Sequence, residues 1–394
     1  MSINDFAQAA DYLYRGRLGA ADGWCRRGLA AVPGDKAGLN LLGGIAALAG
    51  LREPAARCFE SALPLAAARD NLALLGEPAP PPGRDQPGFV LIKSWGYGFC
   101  AELAHVLGSL LLAEISGRVP VVHWGGRSLF GDFTRFFEPV SAATLADLVA
   151  LKASSLFPAG WSLATLGRDR PVIRPGEGPG ALEFLARPET ILVCDSFIGV
   201  ADLAPWIPPG HRLHRLHGLS LPACLAALFD GWLKPRPEIL DAAAAFRERH
   251  FVGKRVAAVH LRGSDKVLEV PDVAAANQRC LALADALPAG TRLFLMTDDD
   301  ALARAFRARY GERLVMTDSR RSRDTTGIHY HGGEDGLVLG REVLIDLLIA
   351  LEADCFIGNG RSNVSALIEA LRTAAGREST LVLENQLYLH SCFL

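Results

Sequence analysis

Three short polar runs carry residue types suited to handling a diphosphate. The first is His260-Leu261-Arg262-Gly263-Ser264-Asp265-Lys266. The Arg262 guanidinium can give two parallel hydrogen bonds to phosphate oxygens, and Lys266 can add a point charge. Asp265 is placed to fix Arg262. The second run is Thr297-Asp298-Asp299-Asp300. Asp299 or Asp300 suits an N-cap for a helix entering at Ala301. A Mg2+–diphosphate site is the rival use of adjacent carboxylates, and capping with nucleotide positioning by Asp298 is preferred. The third run, Gly358-Asn359-Gly360-Arg361-Ser362-Asn363, opens a helical pattern. Backbone amides at that helix start, with Arg361, Ser362 and Asn363, make an anion cradle.

These runs need elements that bring them together. Arg255–Leu261, Leu293–Met296, Arg313–Met316, Cys355–Gly358 and Thr380–Leu383 are short apolar runs that read as strands. Helical patterns lie between them at Val273–Leu287, Asp300–Tyr310, Arg341–Leu351 and Ser362–Leu371. This alternation predicts a parallel, doubly wound sheet, with each polar run at the carboxyl end of a strand, where such sheets bind ligands. An earlier series predicts a second sheet: strand Phe89–Ser94, glycine turn Trp95–Phe99 with Gly96 and Gly98, helix Glu102–Ser116, and strands Val119–His123 and Ile191–Cys194. No sheet element is predicted in 130–180, and Phe229–Pro237 reads as the crossover between the two halves.

The first 75 residues differ in kind. Gly16 recurs as Gly50, Ala21 as Ala55 and Leu29 as Leu63, each 34 residues apart. That period, with small residues where helices approach, resembles tetratricopeptide repeats over residues 3–68. Two such units are too few to stand alone, so the expectation is docking on the next domain or on a second copy as a homodimer. The Pro/Gly-rich segment 76–88 follows as a linker. The expected domains are 1–75, 89–235 and 236–394.

With 394 residues and a formal net charge of -2, the chain has no basic excess for nucleic acid or anionic membranes. Its eight cysteines form no CxxC pair, which argues against zinc and a disulfide framework. The start lacks a signal-like apolar core, and no transmembrane span is expected. A cytoplasmic location follows from these readings.

In order and spacing the three runs resemble the α1,6-fucosyltransferase group, the core and Nod-factor enzymes. More distantly they resemble the protein O-fucosyltransferases. The matching segments are HLRGSDK, MTDDD and REVLIDLLIALEADCFIGNGRSNVSALIEAL, with GYGFCAELAHVLGSLLLAE similar in style. The resemblance spans roughly residues 89–385. It departs at Gly263, where the α1,6 enzymes carry a second arginine, and there the pattern is closer to the O-fucosyl one. It implies a GT-B-like α/β fold with two Rossmann-like sheets and an inverting, metal-independent transfer from GDP-fucose to a glycan, peptide or protein. No cofactor is implied beyond this nucleotide-sugar donor. It also implies that Arg262 meets the β-phosphate, that His260 and Asp346 hold the nucleoside, and that Ser362 and Asn363 meet the diphosphate. Asp298 takes the place of the second-motif aspartate. Glu269 is the implied general base, with Asp265 second, while Lys266 and Arg262 offset charge on the departing diphosphate. The alternatives are another nucleotide sugar on the same fold, and a non-catalytic interaction protein.

Overall fold

The computed structural model describes residues 2–15, 17–75, 87–152, 154–171, 173, 178–204, 216, 218–264, 272–324, 327 and 335–383. The expected linker's residues 76–86, and the site candidates Asp265, Lys266 and Glu269, lie outside the described residues.

Five helices open the chain: α1 (Ser2–Tyr14), α2 (Leu18–Ala31), α3 (Lys36–Leu48), α4 (Arg52–Ala62) and α5 (Ala66–Leu75). Helices α2 and α4 start 34 residues apart, and Ala21 and Ala55 occupy matching, fully buried places in them. The module docks on the next unit: Arg17 donates to the Gly178 carbonyl at 3.4 Å and lies 3.8 Å from Glu183.

The first α/β unit contains β1 (Phe89–Ile92), α6 (Phe99–Ser116), β2 (Val119–Val122), α7 (Leu145–Val149), β3 (Leu156–Phe157), α8 (Ala181–Leu185), β4 (Ile191–Cys194) and α9 (Val200–Leu203). Its sheet is wholly parallel in the order β2-β1-β4-β3. Strand β1 is buried along its whole length, as a strand covered on both faces must be. Helix α6 stops at Gly117, whose φ of 65° only glycine adopts without cost. This helix is long and apolar enough to cross a membrane, but 89% of it is buried inside the fold. Strand β3 corrects the expectation of no sheet element in 130–180. It has only two paired residues and is followed by Pro158, too short a run to show a period.

Two helices lead into the second unit: α10 (Leu221–Trp232) and α11 (Pro237–His250). The crossover is therefore shorter than expected, because Phe229–Trp232 finishes α10, a helix capped by Ser220 and entered through Pro222. Next come β5 (Val256–Leu261), α12 (Asp272–Asp285), β6 (Arg292–Thr297), α13 (Asp300–Tyr310), β7 (Leu314–Val315), α14 (Gly336–Leu351), β8 (Cys355–Asn359), α15 (Asn363–Ala374) and β9 (Glu378–Val382). This sheet is parallel in the order β7-β6-β5-β8-β9. The chain runs outward from β5 to one side, then returns to lay β8 on the other, so the topological switch falls between β5 and β8.

Two close contacts set the units against each other. A Cβ on Gly336 would stand 1.7 Å from the Leu129 carbonyl oxygen, and one on Gly340 would meet Phe136 at 2.8 Å. Only glycine lets the start of α14 lie this close to the first unit.

Candidate functional site

At the switch point, His260 near the end of β5 pairs in register with Gly358 near the end of β8. The first and third polar runs therefore meet there, and Asp298 follows β6 on the neighbouring strand. His260, Arg262, Asp298, Asp346 and Ser362 all line one cavity of about 100 Å3. A second cavity of about 410 Å3 adjoins it, and the two share Ser319 and Glu342.

Asp298 holds the arginine. It forms an ion pair with Arg262 and accepts from the Gly263 amide at 2.9 Å and the Ser264 hydroxyl at 2.5 Å. Burial pushes this carboxyl up, but the Arg262 charge and the two hydrogen bonds win and hold it below its ordinary value. Ser264 adopts a left-handed φ of 46°, which turns the chain at this contact. Gly263 is explained by the same packing: a Cβ there would stand 2.4 Å from the Asp299 side chain.

His260 is buried, with Nδ1 2.6 Å from the Ser365 hydroxyl. Burial lowers its pKa to about 4, with Asp298 opposing and Arg262 assisting, so the ring is neutral at pH 7. Asp346 projects from α14, accepting from Thr317 Oγ1 at 2.7 Å and Ser319 Oγ at 3.3 Å. Burial raises its pKa to about 7, against the pull of those hydroxyls and Arg321.

The remaining candidates are placed differently. Asp299 N-caps α13, accepting from the amides of Ala301 and Leu302, and Asp300 pairs with Arg304. All three carboxylates of the run thus have protein partners. Arg361 reaches Asp272 at 3.2 Å. Asn363 opens α15, and neither it nor Arg361 lines the cavity. Ser362 is the N-cap of α15 but makes no side-chain cap bond, so its hydroxyl is left to the cavity it lines. Gly360 is required by packing, since a Cβ would stand 1.8 Å from the Leu383 carbonyl oxygen. Gly96 and Gly98 belong to the other sheet, in the turn after β1. Buried Glu102 holds that turn by accepting from the amides of Trp95, Gly96 and Tyr97 and from the Ser94 hydroxyl.

Several participants escaped the sequence reading. Thr317 and Ser319 follow the two-residue strand β7, and the rule of strand ends would have reached them. Asn277 donates to the Arg262 carbonyl at 2.7 Å and accepts from Asn359 at 2.8 Å, which ties α12 to the ends of β5 and β8. A lone polar residue on the inner face of a helix was its only signal.

No family model matches the sequence, and neither does any curated protein. Solved structures are similar over most of the chain. The fucosyltransferase NodZ from Bradyrhizobium shares 20% identity at a TM-score of 0.48, covering 72% of this chain and 93% of that one. POFUT1 in complex with GDP-fucose shares 13% at 0.46, covering 77% and 99%. A mutant of Arabidopsis thaliana FUT1 in complex with GDP shares 12% at 0.48, covering 87% and 80%.

Proposed function

We propose that this protein is a glycosyltransferase of GT-B type that transfers fucose from GDP-fucose, with inversion and without a metal ion, to a hydroxyl of a glycan, peptide or protein. The observation that carries the reading is the convergence of His260, Arg262, Asp298, Asp346 and Ser362 on one cavity at the switch point. These are five of the motif positions that resemble the fucosyltransferases, and they come from four separate segments. Arg262 binds the diphosphate and offsets charge as it leaves, with Asp298 holding the guanidinium in place. The amides at the start of α15, with Ser362, supply the other half of the anion site. Neutral His260 and Asp346 face the nucleoside. Lys266 adds a positive charge from the segment that follows. The resemblance puts the proton acceptor at Glu269, with Asp265 second. The helical module is a pair of tetratricopeptide-like units that brings the acceptor to the cleft or joins two copies, and the protein acts in the cytoplasm.

Arg262→Lys tests the donor site. Lysine keeps the charge opposite Asp298 but loses the two-pronged geometry. GDP affinity, measured by calorimetry, should fall roughly 10-fold or more, the worth of one charged hydrogen bond. Unchanged affinity would remove Arg262 from the donor site. Gly263 in place of a second arginine favours a second reading, the same fold with another nucleotide sugar, which preference for UDP or dTDP over GDP would reveal.

A further inference from the structure

The first sheet has a row of ionisable residues at its carboxyl edge that the donor site leaves unused. Ile92 pairs with Val122 on one side and with Cys194 on the other. The next residue on each strand is His123, Lys93 and Asp195, so the three lie side by side. The ladder continues to them: the His123 amide donates to the Ile92 carbonyl and the Lys93 amide to the Cys194 carbonyl, both at 2.9 Å. Ligands of open parallel sheets bind outside such ends.

Two of the three are committed to the fold. Lys93 is 1% exposed and donates to the Leu166 and Arg168 carbonyls at 3.0 and 2.9 Å. Asp195 is 0% exposed, accepts from Trp161 Nε1 at 3.1 Å and lies 3.7 Å from Arg170. His123 is different. It is only partly buried and lines a cavity of about 310 Å3 with Asp132, Ser141, Ala142 and Thr144. That volume lies within the roughly 300–1,000 Å3 of ligand pockets. Burial and the Lys93 charge lower the pKa of His123 while Asp132 and Asp169 raise it. The first pair keeps a proton-free ring available, and the carboxylates stabilise the imidazolium once it forms. The segment after His123 runs to Leu129, whose carbonyl lies against Gly336 at the head of α14. One turn on, Leu339 lines the nucleotide cavity. The segment that leaves His123 therefore reaches the helix whose next turn lines the nucleotide cavity.

We propose that the 310 Å3 cavity is the subsite for the acceptor, a neutral alcohol, and that His123 rather than Glu269 takes the proton from its hydroxyl. This rests on the transferase reading above. The acceptor oxygen bonds to the anomeric carbon as its proton passes to the His123 ring. The bond from that carbon to the diphosphate oxygen breaks, and its electron pair leaves on the diphosphate beside Arg262.

The test uses the full chain, GDP-fucose, and sodium azide as a nucleophile with no proton to give up. His123→Gln and His123→Asn should bind GDP within about twofold of wild type. Both should release GDP from GDP-fucose in water roughly 100-fold more slowly, the lower end of what a general base supplies. Azide should then restore release at least 10-fold in both variants and change the wild type little. Release at the wild-type rate, a loss that azide does not relieve, or loss of GDP binding in both variants would overturn the proposal. Relief by azide in Glu269→Gln but not in the His123 variants would also overturn it, giving the role to Glu269. A wild type that binds no GDP overturns the transferase reading and this proposal with it.

Discussion

Replacing Asp346 with asparagine should make the ligand-free protein more stable, and more so as pH rises. Asp346 is 7% exposed, and burial lifts its carboxyl from 3.8 to about 7. The folded state thus holds the proton more tightly than the unfolded chain. Its stabilising contribution is complete below about pH 4 and is lost as pH climbs through about 7. Each unit of difference is worth about 1.4 kcal/mol. At pH 5 the unfolded carboxyl has ionised and the folded one has not, a loss of about 2 kcal/mol. At pH 8 both are ionised, and the loss is about 4 kcal/mol. Asparagine has no proton to lose and still offers an oxygen to Thr317. Its advantage over wild type should therefore widen by roughly 2–3 kcal/mol between pH 5 and pH 8. For a unit of this size that is roughly 5–10 °C in melting temperature. Thermal unfolding of both proteins at the two pH values reads it directly. An advantage equal at both pH values, or an asparagine variant less stable at pH 8, would refute a buried carboxyl with a raised pKa at this position.

Two further substitutions test how the fold holds its site. Gly360→Ala drives a methyl group into the Leu383 carbonyl and should cost roughly 1–3 kcal/mol, seen as a lower melting temperature; an unchanged one would mean the contact is absent. Glu102→Gln keeps an oxygen for Gly96 and Tyr97 but sets an amide nitrogen against the Trp95 amide, and should cost roughly 1–3 kcal/mol, with faster hydrogen exchange at Trp95. Exchange at the wild-type rate would show that the carboxylate does not hold that turn.

The second sheet was legible because each of its strands is an apolar run bounded by a polar one, and because its helices carry caps such as Asp299. The site was legible for the same reason: residues at neighbouring strand ends must meet. What escaped was packing. Gly360 lies in the run expected to cradle an anion, yet a carbonyl just past the end of β9 fills the space beside it. Gly263 reads as a lost arginine, yet Asp299 occupies the place of a side chain. Asp298 reads as a nucleotide contact, and it holds Arg262 by a pairing that sequence separation conceals. Strand β3 is too short to carry a period. Helix α10 was hidden because Gly231 and the prolines after it suggest a turn, while Ser220 and Pro222, which start it, lie well upstream.

The central claim is that the cavity between β5 and β8 binds the diphosphate of a guanosine nucleotide. The most direct measurement is isothermal titration calorimetry of the full chain with GDP, UDP and dTDP, each with and without EDTA. The account predicts saturable binding of GDP alone, unaffected by EDTA. Binding of UDP or dTDP in preference to GDP, or of no nucleotide at all, would contradict it.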